Sequence, residues 1–229
     1  MKRGNLSQAL RWFTQAVEEA REQHHMESLS AALGNLGNVS ALMEEYDDAE
    51  TCYKEILSIQ RTGEDRNAVG ETLINLGNVK ADKQETEKAR AYYLEAIDLL
   101  SPLDNHRALG IAYSNLALQE VHHHHYENAI EYFQQALDMH RTVGDEHGLA
   151  NTFSQLGKTF FLQGHTVQAE RCLNNASEHF IKLGQESSEA AVLRLLGELY
   201  QGRGDKQSAR RCWERVLQID LRYQLPQYE

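Results

Sequence analysis

Prolines, cysteines and long apolar runs are scarce in this chain, and each scarcity excludes a class of protein. Two prolines and 15 glycines in 229 residues exclude a collagen-like chain or a disordered chain rich in both. The three cysteines include no Cys-x-x-Cys pair, so they indicate neither a disulfide framework nor a zinc site. No apolar run approaches the roughly 18 residues of a transmembrane helix, and residues 1–5 lack the apolar segment of a secretory signal. We expect a cytoplasmic protein that does not contact a membrane.

The chain also has fewer basic than acidic residues. Lysine and arginine number 23 against 34 aspartates and glutamates, which gives a net charge of −11 with neutral histidines. This charge repels phosphate backbones and no long basic cluster interrupts it, so nucleic acid is not an expected partner. With 41% hydrophobic residues the chain can bury a core. The expected partner is a protein or a peptide.

What the chain does have is a repeat of 40 residues. The segment Gly34–Asn38 recurs at residues 74–78 and more loosely near residues 114, 154 and 194. The leucine at its centre returns in every copy, as Leu36, Leu76, Leu116, Leu156 and Leu196. A second series pairs an alanine with a bulky side chain four residues later: Ala9 and Phe13, Ala49 and Tyr53, Ala89 and Tyr93, Ala129 and Phe133, Ala169 and Leu173, and Ala209 and Trp213. Copies in such regular register exclude a chance similarity.

Each repeat predicts a pair of helices. Apolar residues recur at helical spacing in both halves, for example Leu33 and Leu36 in the first half and Ala49, Tyr53 and Ile56 in the second. The turn between the halves is filled by Gly4-Asn5, Glu44-Glu45, Gln84-Glu85, His124-His125, Gly164-His165 and Gly204-Asp205. A small residue leaves room for the paired helix at Gly37, Gly77, Ala117, Gly157 and Gly197. The bulky side chain four residues after each alanine is expected to fill the remaining space.

This pattern resembles the tetratricopeptide repeat, with Leu36-Gly37 in the middle of a first helix, then Ala49 and Tyr53 in a second. The 40-residue step and the Asn-Leu-Gly-Asn core are similar to the long-repeat branch of that family. This branch includes Leu-Gly-Asn-repeat adaptors, kinesin light chains and bacterial peptide-responsive regulators. The resemblance implies an all-α fold, a right-handed α-solenoid of about eleven antiparallel helices.

We expect a single array over residues 1–229. Residues 1–25 form half a repeat, a second helix only, with its turn at residues 3–5. Five helical pairs follow, over residues 26–65, 66–105, 106–145, 146–185 and 186–220, and residues 221–229 form a tail. The proline that usually ends a repeat is absent in most copies, with only Pro102 near that position. Its absence predicts longer helices across the junctions.

The resemblance places the first helices along a concave groove, lined by the side chains beside each Leu-Gly pair. The candidate binding residues are Asn35, Asn38, Asn75, Asn78, Asn115, Gln155, Lys158 and Arg194. A side-chain amide offers donors and an acceptor, which match the N–H and C=O groups of an extended peptide. We expect these amides to bind a peptide, and the alternative is that they bond to neighbouring helices and fix their packing. Lys158 and Arg194 would orient an acidic ligand, although Glu198 can neutralise Arg194.

The sequence therefore predicts a protein-interaction module that binds a peptide segment or a protein surface in its groove. The alternative is a sensory or regulatory domain that changes conformation on binding a small peptide or ligand and controls an attached or separate effector. A third interpretation is a self-assembling scaffold. Neither a Gly-rich phosphate loop nor an enclosed carboxylate pair is present, so we expect no catalytic residue, no enzyme and no cofactor.

A run of histidines and three cysteines have side chains that can bind metal ions, but their positions in the repeat argue against a metal site. The run His122–His125 has the residue type of a metal site. The repeat register places two of these histidines in a turn and two at a helix end, where neighbouring side chains diverge. We expect a solvated turn and no metal site. Cys52, Cys172 and Cys212 share one repeat position and are expected to be packing residues.

The two ends of the array are expected to expose apolar surface. The helix predicted over residues 6–20 has no first-helix partner, and its stripe of Leu6, Leu10, Phe13 and Val17 would be only partly covered by the next repeat. The last helix is followed by no polar capping helix. Such patches mark interfaces. Either upstream sequence supplies the missing helix, or the chain forms a homodimer through a terminal repeat.

Overall fold

Helices form almost the whole of the described chain, and no strand occurs in it. A computed structural model describes residues 2–63 and 65–224. Within these ranges it has eleven α-helices: α1 (Lys2–Glu22), α2 (Met26–Leu42), α3 (Tyr46–Gln60), α4 (Arg66–Asp82), α5 (Thr86–Leu100), α6 (His106–His122), α7 (Tyr126–Thr142), α8 (Glu146–Leu162), α9 (Thr166–Lys182), α10 (Glu186–Gly202) and α11 (Lys206–Gln224). The predictions of an all-α fold and of about eleven helices are confirmed.

Residues with a left-handed (αL) backbone conformation end the helices, at intervals of 20 residues or multiples of 20. Positive φ angles occur at His24, Glu44, Gln84, Asp104, His124, Gly144, Gly164, Gly184 and Gly204. After α2, the N–H of Glu45 donates to the Ser40 carbonyl and that of Glu44 to the Ala41 carbonyl, the two bonds of a Schellman cap. These bonds stabilise the αL conformation even without glycine.

The same turns correct one prediction about the junctions between repeats. Gly144 and Gly184 lie between α7 and α8 and between α9 and α10, with φ angles of +64° and +66°. The prediction of longer helices at the junctions was therefore wrong, because an αL residue ends a helix without any proline. Pro102 lies in a short 3-10 turn, Ser101–Leu103, after α5.

Short polar side chains cap several of the first helices at their N-termini. A carboxylate oxygen of Asp65 accepts the N–H of Ala68 at 3.0 Å, and one of Asp145 accepts the N–H of Gly148 at the same distance. The amide oxygen of Asn105 accepts the N–H of Ala108 at 3.2 Å. Each of these caps satisfies an N–H that has no partner within its helix.

The two ends of the described chain depart from the predicted boundaries. α1 is continuous from Lys2, so the turn predicted at residues 3–5 was wrong. Glycine inside a helix costs only about 1 kcal/mol relative to alanine, a cost small enough for Gly4 and Asn5 to belong to α1. α11 runs to Gln224, into the segment expected to be a tail from residue 221.

The chain divides into two compact units, residues 1–119 and 120–229. In the first unit each helix from α1 to α5 packs against the next, around fully buried side chains such as Leu73, Leu76 and Tyr93. In the second unit α7 to α11 pack in the same sequential way, around Leu173 and Leu196. The single array over the whole chain stays a prediction.

Candidate functional site

Glycines in the first helices face bulky side chains of the second helices. A Cβ on Gly77 would lie 2.5 Å from Cε1 of Tyr93, and a Cβ on Gly197 would lie 2.7 Å from Cε2 of Trp213. Both distances are far shorter than a van der Waals contact. Only glycine allows these helix pairs to approach so closely, which confirms the predicted small-residue position in these two pairs.

Tyrosine hydroxyls of the second helices hold asparagines of the first helices. The Tyr53 hydroxyl donates to Asn38 Oδ1 at 2.6 Å, and the Tyr93 hydroxyl donates to Asn78 Oδ1 at 2.8 Å. Burial raises the pKa of Tyr53 to about 12 and also raises the pKa of Tyr93, so both hydroxyls remain donors at neutral pH. Asn38 and Asn78 therefore help to fix the helix pairs, as the alternative interpretation of the amides proposed.

Asn78 also joins two successive first helices. Its Oδ1 accepts a second hydrogen bond, from Asn115 Nδ2 on α6 at 2.8 Å. Two donors on one oxygen fix the orientation of the Asn78 amide and of the Asn115 amide. Both side chains are half-buried, and the Asn78 Nδ2 and Asn115 Oδ1 atoms have no other partner in the described part of the chain.

Asn35 and Asn75 occupy equivalent positions on α2 and α4, and their side chains are not engaged in the packing. Neither amide forms a hydrogen bond with any described residue. Asn35 is exposed and Asn75 is half-buried. In the first unit these two amides keep their full capacity to bind a ligand.

In the second unit the candidate residues divide in the same way. Gln155 is half-buried and Lys158 is exposed on α8, and neither side chain is bonded to another described residue. Arg194 on α10 donates to both carboxylate oxygens of Asp220 on α11, at 2.9 Å each. The predicted neutralisation by Glu198 was wrong, because Asp220 lies opposite Arg194 across the helix pair. Lys158 is therefore the more available of the two cations.

A cluster of buried charges joins α4 to α3 and to the turn before α5, and no sequence motif indicated it. Lys80 Nζ lies 2.7 Å from Glu50 Oε2 and 3.1 Å from Glu85 Oε1, and Lys83 Nζ lies 3.0 Å from the same Glu50 oxygen. The side chains of Lys80 and Glu50 are only 6% and 11% exposed. Burial alone would raise the pKa of Glu50, but hydrogen bonds from Lys54, Lys80 and Lys83 lower it to about 2.

The lowered pKa of Glu50 predicts an acid-sensitive junction between α3 and α4. The carboxyl is deprotonated in the folded chain down to about pH 2, whereas its ordinary pKa is 4.5. Its contribution to the free energy of unfolding is present above pH 4.5 and is lost as the pH falls toward 2. We expect a loss of about 3 kcal/mol across this window. Denaturation curves of the wild type and of Glu50→Gln at several pH values measure it, and parallel pH profiles of the two proteins would contradict the assignment.

The four histidines occupy the positions that the repeat register predicts. His122 ends α6, and His124 has a φ of +61° in the turn. His125 Nδ1 lies 3.0 Å from Glu120 Oε2, and His124 Nδ1 lies 2.9 Å from the Tyr126 hydroxyl. Among the described residues, no three histidine, cysteine or acidic side chains are placed to hold a metal ion.

Burial raises the pKa of Cys172 to about 11, and Cys52 and Cys212 are likewise buried with raised pKa values. These thiols are therefore protonated at neutral pH and pack within the core, as predicted.

In the described chain no helix is both long enough and apolar enough to cross a bilayer.

The predicted association stripe on α1 is partly covered by the chain itself. Val17 is buried, and Leu6, Leu10 and Phe13 are half-buried. α2 packs against α1 and accounts for this cover. The most exposed apolar side chain of α1 is Trp12, which lies outside the predicted stripe. Val17 therefore belongs to the core, and a homodimer through this end stays a prediction.

Comparison with known families identifies the repeat. A sequence model of the tetratricopeptide repeat matches four overlapping stretches, residues 27–101, 68–142, 108–182 and 148–222. No curated protein matches the chain.

Several solved structures share the fold. BtubC (BKLC) from P. vanneervenii is 20% identical, with a TM-score of 0.87 over 98% of this chain and 94% of its own. A putative kinesin light chain with nearly identical TPR-like repeats from Podosopora anserina is 16% identical, with a TM-score of 0.68 over 86% of this chain and 97% of its own. A Rap protein complexed with Competence and Sporulation Factor is 16% identical, with a TM-score of 0.69 over 93% of this chain and 64% of its own. The predicted resemblance to such proteins is confirmed, and at these identities it extends to the fold alone.

Proposed function

Because the chain belongs to the tetratricopeptide repeat family, we propose that it is a protein-interaction module that binds a peptide segment through polar side chains of its first helices. The observation that carries this proposal is the pair of unengaged amides at equivalent positions, Asn35 and Asn75. Each amide can bind one N–H and one C=O group of an extended backbone, whatever side chains the peptide carries.

Neighbouring amides support the same role. The hydrogen bonds from Tyr93 and Asn115 to Asn78 hold two amides in one orientation, with Asn78 Nδ2 and Asn115 Oδ1 left to meet a ligand. Groups that are already fixed lose less conformational entropy when a ligand binds. In the second unit Gln155 and Lys158 offer an amide and a cation, which would suit a peptide with an acidic residue.

Replacing Asn35 and Asn75 together by alanine is expected to weaken peptide binding by about tenfold or more, since each neutral hydrogen bond contributes about 0.5–1.5 kcal/mol. The unfolding midpoint should change little, because neither amide bonds to a described residue. Affinity purification with the wild type and the double variant, followed by mass spectrometry and titration of the captured partner, measures the effect.

Asn115→Ala is a reference for the stability measurement and not for binding, because Asn115 donates to Asn78 inside the chain. It should lower the free energy of unfolding by about 1 kcal/mol, which the Asn35 and Asn75 substitutions should not do. Capture of the same partners with the same affinity by the double variant would refute the proposed binding site.

A regulatory role is the second candidate. The Rap protein of similar fold was solved as a complex with Competence and Sporulation Factor. By analogy, a small peptide bound along the first helices of this chain would change the arrangement of its repeats and so control an effector. A change in amide hydrogen exchange in helices remote from the bound peptide would distinguish this role from simple binding.

A further inference from the structure

A pocket of about 270 Å³ lies where α1, α2 and α3 meet, within the first compact unit. Leu10 of α1 and Leu36 of α2 contribute apolar walls, and Ser40 of α2 contributes a hydroxyl. Glu45, in the turn before α3, and Asp48, in the first turn of α3, contribute carboxylates. We refer to this cavity as the Ser40 pocket.

The Ser40 pocket exists because one side chain of the repeat is small in this copy. The residue at the position of Ser40 is large in every later copy: Lys80, Glu120, Phe160 and Tyr200. Lys80 is 5% exposed, and its ammonium donates to Glu50 and to Glu85. These partners lie on α3 and in the turn before α5, whose counterparts α1 and the turn before α3 are both present around Ser40. The pocket is therefore open because of the serine and not because an element is missing.

Two carboxylates of the pocket lack the cations that hold their counterparts in the next repeat. Glu45 corresponds to Glu85, which is paired with both Lys80 and Lys88. In the first repeat a serine and Asp48 stand at the positions of these two lysines. Neither Glu45 nor Asp48 has a basic partner in the described part of the chain. No other copy has an acidic residue at both positions, so this excess of negative charge is specific to the Ser40 pocket.

A buried hydroxyl provides a second, independent sign of a ligand. Ser40 is 1% exposed and lines the pocket, and its hydroxyl bonds to no described residue. A buried polar group without a partner is costly, and a ligand that bonds to it removes this cost. An ammonium has three donors, enough for the hydroxyl and both carboxylates. The pocket therefore combines oxygen acceptors with apolar walls, which is the complement of an ammonium on a chain of methylene groups.

The size of the pocket suits a single long side chain. Small-molecule sites usually measure about 300–1,000 Å³, and the pocket, at about 270 Å³, lies below that range. A lysine side chain buries its methylene groups against apolar surface while its ammonium meets polar groups. One such side chain binds weakly on its own, so a stable complex needs further contacts, which a protein partner supplies.

We propose that the Ser40 pocket receives a lysine side chain of a partner protein. The methylene groups of this lysine pack against Leu10 and Leu36, and its ammonium bonds to Ser40, Glu45 and Asp48. The bound lysine takes the role that Lys80 has in the next repeat, where the side chain comes from the chain itself. The site lies between the second helices α1 and α3 and does not depend on the amides of the first helices.

Two small probes test the charge requirement on the full chain. The first is a lysine capped by acetyl and methylamide groups, and the second is the equally capped norleucine, which lacks only the ammonium. Titrations followed by NMR should show the lysine probe binding about fivefold more tightly and shifting the Ser40 and Glu45 amide signals. Glu45→Gln combined with Asp48→Asn should abolish this preference. Equal affinities of the wild type for the two probes, or no binding of the lysine probe, would overturn the proposal.

Ser40→Lys fills the pocket from within, as Lys80 does in the next repeat, and should abolish binding of the lysine probe. Ser58→Lys is the matched control, because it makes the same substitution at an exposed residue of α3 outside the pocket. It should leave the affinity within about twofold of the wild type, since an exposed charge at a distance is screened by solvent. Equal effects of the two lysine variants would refute the site. If circular dichroism shows Ser40→Lys to be unfolded, the carboxylate variant decides the test.

A third probe, n-butylamine, distinguishes a partner protein from a small free amine. It has the ammonium and the methylene groups of lysine without a peptide backbone. We expect it to bind no more tightly than the capped lysine, because the pocket recognises only the side chain. Tighter binding of n-butylamine would identify a small free amine as the occupant and overturn the assignment to a partner protein.

Discussion

Replacing Lys80 by alanine is expected to lower the free energy of unfolding by about 3 kcal/mol. The Lys80 ammonium is buried within 2.7 Å of a Glu50 oxygen and 3.1 Å of a Glu85 oxygen. Its loss leaves the buried Glu50 carboxylate with fewer partners, and the missing methylene groups leave a void between α3 and α4. Urea denaturation followed by circular dichroism measures the change.

An exposed ion pair of similar length is the control for Lys80. Arg61 Nη2 and Glu95 Oε1 are 2.8 Å apart, but their side chains are 56% and 50% exposed. Arg61→Ala should therefore cost less than about 1 kcal/mol. Lys80→Met combined with Glu50→Met should be more stable than Lys80→Ala, because it removes the buried acid together with its partner. A cost for Lys80→Ala no larger than that for Arg61→Ala would show that the cluster does not stabilise the junction.

The periodic features of the fold could be predicted from the sequence because packing imposes them on every copy. The helices α2, α4, α6, α8 and α10 begin at residues 26, 66, 106, 146 and 186, the first residues of the five expected pairs. The small residue at Gly77 and the alanine at Ala89 are demanded by close contact between paired helices, so their spacing identifies the pairs. The turns without glycine could be placed by the same register, although residue type gave no signal at Glu44 or Gln84.

The sequence contains a spacing signal that identifies the engaged asparagines. Asn38 and Tyr53 are 15 residues apart, as are Asn78 and Tyr93, and each pair is joined by a hydrogen bond. In the later copies the aromatic position loses its hydroxyl, as in Leu173, and the asparagine position becomes Lys158. The two positions change together, which marks them as partners. This pattern separates Asn38 and Asn78 from the unengaged Asn35 and Asn75.

The charged contacts could not be predicted, because they occupy positions that differ from copy to copy. Lys80 shares its position with Ser40 and Tyr200, so no period reveals that it meets Glu50. Helical spacing alone predicts that Arg194 pairs with Glu198, whereas the structure pairs it with Asp220 on the next helix. Contacts within one helix follow from spacing, but contacts between helices also require the geometry of packing.

Adding one methyl group at Gly77 is expected to destabilise the α4–α5 pair by about 2 kcal/mol. The Cβ of Gly77→Ala would lie 2.5 Å from Cε1 of Tyr93. The ring cannot withdraw, because it is 1% exposed and its hydroxyl is bonded to Asn78. The higher helix propensity of alanine, about 1 kcal/mol, offsets only part of this strain. Thermal or urea denaturation measures the difference.

Gly34→Ala is the matched control, since it makes the same substitution on α2 where the nearest atom, Ile56 Cδ1, would be 3.9 Å from the new Cβ. It should raise the free energy of unfolding by about 0.5–1 kcal/mol through helix propensity alone. The cost of Gly77→Ala should also disappear when Tyr93 is replaced by alanine, because the new methyl group then enters the space that the ring has left. A double-mutant cycle between the two positions measures this coupling. If Gly77→Ala stabilised the chain as Gly34→Ala does, close contact between the helices would not be what requires glycine at this position.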